Sequence, residues 1–448
     1  MLKDRPQTQS SLEFVCIDEL VPKDHLLRKV DKTIDFSFIH DLVKDLYCDN
    51  NGRPALDPTL MFKLILLGYL FGIRSERQLI REVEVNVAYR WFLGLSLTDK
   101  VPDASTLSQN RRRRFDDSSV YQDIFDEIVF QAIRKKLVSG RVLYTDSTHL
   151  KASANKNKWV KAKAQESSKD YLAELDQAIT EDRKRHGKKP LPPPSKTSAA
   201  EREIKQSTTD PDSGYMVRDG KPKGFFYLDH RTVDGQANII TDVHVTPGNV
   251  HDSRPYLSRL DRQRERFGLD VQAVGLDAGY FTAGICHGLE QRDVYGVISY
   301  RRPNKPKGYL PKRAFEYDES NDHYRCPEDA ILLYSTTDRN GYRHYQSNPD
   351  DCKSCPRLKQ CTRNAKHQKT VTRHVWESSK ERVNGHRLTD FGRKVYKRRQ
   401  ETVERSFADG KELHTHRYAR YRGLGKVQHQ CLLSAAAQNI KKIALMAA

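Results

Sequence analysis

The segment RVLYTDSTHLK, residues 141–151, joins a short apolar run to a carboxylate. Residues 142–144 predict a short buried strand, after which alternation turns the side chain of Asp146 toward one open face of a sheet. Two interpretations of this carboxylate compete. Asp146 either caps a turn together with Ser147 and Thr148, as Asp often does where a strand ends, or it belongs to a polar site.

A second carboxylate, Asp277, lies in a comparable setting. It closes the apolar run VQAVGL, residues 271–276, and precedes two small residues that let a backbone or ligand come close. The pattern then predicts a helix over 282–289 and a strand over 294–299. This order predicts a site at the carboxyl ends of the strands.

The third carboxylate is Glu404, in the predicted helix YKRRQETVERSFADGK, residues 396–411. Tyr396, Val403 and Phe407 recur at helical spacing and predict an apolar stripe that packs on a sheet. Glu404 lies about 100° from Val403 around such a helix, at the edge of the stripe. The alternative is an ordinary surface glutamate. Three carboxylates of this kind can hold two magnesium ions, which phosphodiester cleavage and strand transfer require.

Taken in order, these motifs resemble the DDE transposases of bacterial insertion sequences. The resemblance rests on TDSTHLKASANK (residues 145–156), LDAGYF (276–281) and VERSFADGK (403–411), followed by the segment 421–443. It extends to the amino-terminal region and so covers nearly the whole chain.

The resemblance implies an α/β catalytic domain of the ribonuclease-H-like type, with a mixed five-stranded sheet flanked by helices. It makes Asp146, Asp277 and Glu404 a catalytic triad that binds two Mg²⁺ ions, for which Mn²⁺ can substitute. The implied reaction is metal-dependent cleavage at the ends of an insertion sequence, followed by strand transfer into target DNA. Because paired ends must be held together, we expect a homodimer or a higher oligomer on DNA.

One spacing departs from that of many relatives, which place a Tyr, an Arg, the catalytic Glu and a Lys at fixed steps. Three residues separate Arg from Glu in those relatives, whereas four residues separate Arg399 from Glu404. The roles of Tyr396 and Arg399 therefore stay open. The step from Glu404 to Lys411 matches the relatives, which implies that Lys411 contacts DNA.

The composition favours a polyanionic partner. The 448 residues include 78 Lys and Arg against 59 Asp and Glu, for a formal net charge of +19. We expect this partner to be double-stranded DNA, as element ends and as target, rather than a membrane, because no basic amphipathic anchor is evident. The start of the chain lacks an apolar signal, and the most apolar stretch, residues 60–73, is too short to span a bilayer. The expected location is the cytoplasm, at the nucleoid.

Residues 1–137 have helical patterns and are predicted to form an all-α DNA-binding domain. The sequence Asp57-Pro58-Thr59 predicts a helix start, and Ser105 is a candidate cap of a later helix. Four consecutive arginines end that later helix and are predicted to contact DNA phosphates, although a charge run is often only a solvated face. They are Arg111, Arg112, Arg113 and Arg114.

Residues 138–448 are predicted to form the catalytic domain, with two interruptions. Residues 155–222 are a lysine-rich insertion with helical and proline-rich parts, the latter a stiff spacer over 188–195. In the loop before residue 253, His251 and Asp252 either approach the metal site or begin a helix. Past Glu404 the chain stays basic, and Arg422 belongs to an alternation of arginine and tyrosine suited to DNA contact.

The second interruption, residues 302–385, is a small cysteine-rich β insertion. Two strand-like runs, 331–336 and 342–346, meet at Asn340-Gly341, a strong hairpin signal. The hairpin brings a distant cysteine toward a C-x2-C-x5-C cluster, which suits structural zinc. An iron–sulfur cluster is the alternative, and a disulfide is disfavoured in the cytosol. The cysteines are Cys326, Cys352, Cys355 and Cys361.

Two other functions stay open on the sequence alone. A nuclease of similar fold would cut DNA without joining it. A DNA-binding regulator with a decayed catalytic site would do neither.

Overall fold

In the computed structural model, the described residues are 14–48, 55–164, 171–192, 202–217, 222–300 and 308–447. The first part of the chain is helical. Its helices are α1 (Ile17–Leu20), α2 (Leu26–Thr33), α3 (Phe38–Val43), α4 (Pro58–Leu70), α5 (Glu76–Val85), α6 (Val87–Phe92), α7 (Ala104–Asn110) and α8 (Val120–Arg134), with a π-helical turn at Arg111–Phe115. The Asp57 carboxylate accepts a hydrogen bond from Thr59 N (2.8 Å), so the predicted start of α4 is confirmed. The cap of α7 is Asp103, which accepts from Ser105 N (2.7 Å), so the prediction of Ser105 was wrong.

One mixed sheet follows the helical region. Its strands are β1 (Val142–Lys151), β2 (Trp159–Ala164), β3 (Arg202–Ser207), β4 (Gly214–Met216), β5 (Gly224–Asp234), β6 (Ile240–Pro247), β7 (Ala273–Leu276) and β8 (Tyr295–Ile298). They lie in the order β2-β3-β4-β5-β1-β7-β8, and β6 also pairs with β5. β1 is antiparallel to β5 and parallel to β7, and β7 is parallel to β8. The prediction of a mixed sheet is confirmed.

The sheet differs from the prediction in two respects. It has eight strands instead of five, because β2, β3 and β4 from the lysine-rich segment extend it beyond β5. β1 also does not end near Tyr144, since its residues pair with β5 through Lys151 and leave Asp146 in mid-strand. The polar residues of TDSTH lack the apolar alternation from which this continuation could be predicted. The interpretation of Asp146 as a turn cap was wrong. Residues 193–195 of the predicted proline-rich spacer lie outside the described residues.

A second, five-stranded antiparallel sheet lies in the cysteine-rich segment. Its strands are β9 (Glu316–Asp318), β10 (His323–Arg325), β11 (Ile331–Thr337), β12 (Tyr342–Ser347) and β13 (Thr370–His374). The hairpin between β11 and β12 is confirmed, with Gly341 at φ +79° as its turn requires. Helix α9 (Leu172–Arg185), from the other predicted insertion, packs on this hairpin: the Asp182 carboxylate accepts from Thr337 Oγ1 (2.6 Å) and Arg343 Nε (2.7 Å).

The remaining helices flank the two sheets. They are α10 (Tyr256–Phe267), α11 (Ala283–Glu290), α12 (Pro349–Lys353), α13 (Leu358–Cys361), α14 (Glu377–His386), α15 (Asp390–Arg398), α16 (Arg405–Leu413) and α17 (Leu424–Met446). The buried helix α17 packs against both the helical region and β6, where the Asn439 amide bonds both backbone groups of Ile240 (2.8 Å each). A single core therefore continues across the predicted boundary at residue 138. Among the described residues, no helix combines the length and the apolarity that crossing a bilayer requires.

Candidate active site

Two of the three predicted carboxylates are positioned by adjacent parallel strands. Thr145 of β1 pairs with Leu276, the last residue of β7, so Asp146 is the next residue of β1 and Asp277 directly follows β7. β7 ends there, and a 3₁₀ turn (Ala278–Tyr280) follows it. The end of β7 leaves this edge of β1 open, and both side chains are placed at the same opening.

A π-helical turn, Gln400–Glu404, presents the third carboxylate between α15 and α16. Its signature is the hydrogen bond from Glu404 N to Arg399 O (3.2 Å), one residue longer than an α-helical bond. On an uninterrupted α-helix, Arg399 and Glu404 would be about 140° apart, whereas a four-residue step would leave them about 40° apart. The π turn absorbs the extra residue and keeps both side chains on one side. The unusual Arg-to-Glu spacing is thereby explained.

The three carboxylates lie around the guanidinium of Arg399. Its Nη2 lies 2.7 Å from Asp146 Oδ2, and its Nη1 lies 4.0 Å from Asp277 Oδ1 and 3.9 Å from Glu404 Oε1. Only 4% of the Arg399 side chain is exposed. Sequence reasoning left this residue open, although the additional residue before Glu404 was the signal of a helical bulge that would turn Arg399 inward.

The three carboxylates have different surroundings. Burial raises the pKa of Asp146 to about 6, an effect that the charges of Asp277 and Asp252 reinforce and that the Arg399 guanidinium opposes. Asp277 and Glu404 are about half exposed, at 54% and 49%. The site therefore has one inner carboxylate and two that face solvent.

The π turn also changes which face of α15 is buried. Tyr396, predicted to lie on the packed stripe, is 40% exposed, so that prediction was wrong. Val395 is buried instead, together with Val403 and Phe407. The extra residue shifts the helical phase by one position, so the residue preceding Tyr396 faces the core.

Asp252 lies beside β1 rather than at a helix start. Its Oδ1 accepts a hydrogen bond from Ser147 Oγ (2.9 Å). The N-cap of α10 is Pro255, without a side-chain cap, so the interpretation of Asp252 as a helix start was wrong. His251 is exposed and bonds Ser253 locally.

The predicted DNA contacts divide into engaged and solvent-facing side chains. Arg111 pairs with Glu76 and stacks on Tyr421 (4.5 Å), and Arg114 lies over Tyr47 (4.5 Å). Arg112 and Arg113 are exposed. Arg422 is also exposed, with its Nε donating to Ser153 O (3.1 Å), and Lys411 is partly buried on α16.

The segment 417–422 connects these arginines to β1, the strand that contains Asp146. Its backbone bonds the end of β1 through Ala419 N to Lys151 O (2.8 Å) and Lys151 N to Arg417 O (3.2 Å). At its other end, Tyr421 contacts Arg111. The segment 417–422 thus contacts both the helical region and β1, the strand that contains Asp146.

The four predicted zinc ligands line one cavity of about 250 Å³. Glu328 N donates a hydrogen bond to Cys326 Sγ (3.4 Å), and Cys352 Sγ donates one to Ser347 Oγ (3.2 Å). The donor set suits a soft metal ion. Within the described part of the chain, however, the four sulfurs are not all within 4.8 Å of one another.

Another group, Asp229, His416 and Cys431, does bring its donor atoms within 4.8 Å, but a buried guanidinium already pairs with its carboxylate. Arg231 Nε already lies 2.8 Å from Asp229 Oδ2, and His416 Nε2 lies 2.7 Å from the same oxygen. Although burial acts the other way, these two side chains lower the pKa of Asp229 to about 2. The cluster is a buried ion pair of the core.

Two family models match the chain. A transposase domain (DUF772) matches residues 15–113, and a transposase DDE domain matches residues 325–444. Neither model spans half of the chain, but both describe transposases and the second describes a DDE domain. The predicted function, a DDE transposase that cleaves DNA and transfers strands, is confirmed. The second match includes Glu404, whereas Asp146 and Asp277 precede it.

Two solved transposase structures resemble the chain weakly. The piggyBac transposase synaptic complex with hairpin DNA has 10% identity and a TM-score of 0.30, over 94% of this transposase and 76% of that chain. The Mos1 transposase paired-end complex with left transposon end has 12% identity and a TM-score of 0.17, over 56% and 61% of the two chains. A search of curated protein sequences found no match.

Proposed function

We propose that Asp146, Asp277 and Glu404 are the divalent-metal ligands of this transposase, and that it acts on the ends of a bacterial insertion sequence. The observation that carries the proposal is the convergence of three carboxylates, from β1, the end of β7 and the π turn, on one buried cation. Carboxylate oxygens are the ligands that Mg²⁺ prefers, and Mn²⁺ accepts the same set. Two such ions would stabilise the attacking and leaving oxygens of an in-line displacement.

The chain's own residues contribute position and charge. Asp146 is fixed by a paired strand, while the half-exposed Asp277 and Glu404 face the side from which a phosphate can enter. The exposed Arg112, Arg113 and Arg422, together with Lys411, neutralise DNA phosphates. Cleavage and joining take place at this one site, with paired ends held by a homodimer or a higher oligomer at the nucleoid.

A second metal, Zn²⁺, is proposed for the cysteine cavity. The support is the common cavity of four cysteines and the amide that donates to Cys326 Sγ. Bound zinc would tie the end of β10 to the α12–α13 turn and so stabilise the second sheet. Its role is structural.

The test is a cleavage and joining assay on DNA that carries the flanking ends of the transposase's own gene, with Mg²⁺ present. Asp146→Asn, Asp277→Asn and Glu404→Gln, made singly, should each lower cleavage by at least about 100-fold, because each removes a ligand from a precisely positioned site. Specific DNA binding should remain. The matched control is Glu401→Gln, an exposed glutamate of the same π turn, which should keep full activity.

The results of these assays identify the metal ligands and distinguish the transposase from the nuclease and the regulator. Full activity in any one triad variant would remove that residue from the site. Joined products support the proposal, while cleavage without joining favours the nuclease. Binding with neither reaction would favour the regulator.

A further inference from the structure

The Arg399 guanidinium lies at the point where the three carboxylates meet. It pairs closely with Asp146 (2.7 Å), while Asp277 and Glu404 both lie within 4.0 Å of its Nη1. The carboxylates come from a strand, a strand end and a helical turn, which no continuous element joins. The guanidinium is thus a shared counter-ion for three separate parts of the chain.

Without a cation, these carboxylates would repel one another. Like charges within a few ångströms disfavour the assembled arrangement, most strongly at the partly buried Asp146. Arg399 offsets this repulsion from inside the protein, because its side chain is nearly fully buried. A guanidinium suits this task since it remains charged at every physiological pH.

The guanidinium does not use its full hydrogen-bonding capacity in this position. Arg399 Nε is buried and has no hydrogen-bond partner among the described residues. Its interactions with Asp277 and Glu404, at 4.0 and 3.9 Å, are longer than direct hydrogen bonds. A divalent cation could therefore replace the guanidinium without breaking a saturated hydrogen-bond network.

We propose that Arg399 is a positioning residue that gathers the triad before metal binds and competes with divalent cations for the same carboxylate oxygens. The inference rests on the proposed metal site. Because one set of oxygens serves both cations, each metal ion must displace a bound positive charge. Metal affinity in the absence of DNA is consequently weaker than the three carboxylates alone would give.

The experiment measures metal binding rather than activity. Free Mn²⁺ is counted by electron paramagnetic resonance during titration of the full-length transposase without DNA. Arg399→Gln, which removes the charge, should bind Mn²⁺ about tenfold more tightly than the wild type, a typical coupling between sites. Arg399→Lys, which keeps the charge, should remain near wild-type affinity.

Lys397→Gln is the matched control, since it removes the same charge from an exposed position on α15. Its affinity for Mn²⁺ should change little, because solvent screens the interaction. Equal or weaker binding by Arg399→Gln would overturn the inference. If this variant is unfolded without metal, recovery of the fold on addition of Mn²⁺ supports the inference, and failure to fold at saturating Mn²⁺ overturns it.

Asp277→Asn separates this inference from the function on which it rests. Loss of Mn²⁺ binding in Asp277→Asn is required by the proposed metal site. If that variant binds as the wild type does, the metal site itself is wrong. If it loses binding but Arg399→Gln gains none, only the role of Arg399 is wrong.

Discussion

Deleting Gln400 should convert the π turn into ordinary α-helix and leave the transposase active. The side chain of Gln400 is exposed, and its removal restores the three-residue spacing between Arg399 and Glu404. On a continuous helix, the angle between these two residues would fall from about 140° to about 40°, so both still face the site. Val395 and Phe407 would likewise move from about 120° to about 20° apart and stay on one buried face.

The matched control is deletion of Ala408, an exposed residue in the regular helix α16. No bulge can absorb that loss, so every later residue of α16 rotates by about 100° away from α17. We expect the Gln400 deletion to keep Mg²⁺-dependent cleavage within about tenfold of the wild type, and the Ala408 deletion to lower it by at least about 100-fold. Circular dichroism would confirm that both variants fold. An inactive but folded Gln400 deletion, together with an active Ala408 deletion, would contradict this expectation.

Three further predictions follow from particular side chains. Burial lowers the pKa of His414 to about 4; the unfolded chain therefore takes up the proton first, and stability falls as pH drops below about 6.5. His414→Asn, which can keep the hydrogen bond to a carbonyl of α4, should lessen the stability loss between pH 7 and pH 5 by about 2 kcal/mol in urea titrations, and an unchanged pH profile would contradict this. Zinc analysis of the purified protein should find the metal, and Cys355→Ser should lose it and lower the melting temperature; a metal-free wild type that melts at the same temperature would contradict the site. Arg112→Ala with Arg113→Ala should reduce the salt dependence of DNA binding by about two in log–log slope, whereas Arg111→Ala, which breaks an internal ion pair, should act mainly on stability.

Local patterns predicted the parts of the site that depend on neighbouring residues. Asp277 closes a short apolar strand, and the β11–β12 hairpin turns at Asn340-Gly341, because each signal is complete within a few residues. The length of β1 could not be predicted in this way. Its second half is polar, and only its pairing with β5 makes it a strand.

Arg399 illustrates the same limit at the site. Its inward orientation depends on a π turn that α-helical periodicity cannot represent, and its carboxylate partners come from two distant strands. The periodicity instead placed Tyr396 in the core. A departure from family spacing was visible in the sequence, but its physical meaning required the backbone.

The positions of bound ions would show whether the three carboxylates form the metal site. Crystals of the transposase soaked in Mn²⁺ would be measured near the manganese absorption edge, and an anomalous difference map would be calculated. We predict a peak about 2 Å from carboxylate oxygens of Asp146, Asp277 and Glu404, with the Arg399 guanidinium displaced. A map without a peak there, or with manganese bound elsewhere and Arg399 still in place, would contradict the account.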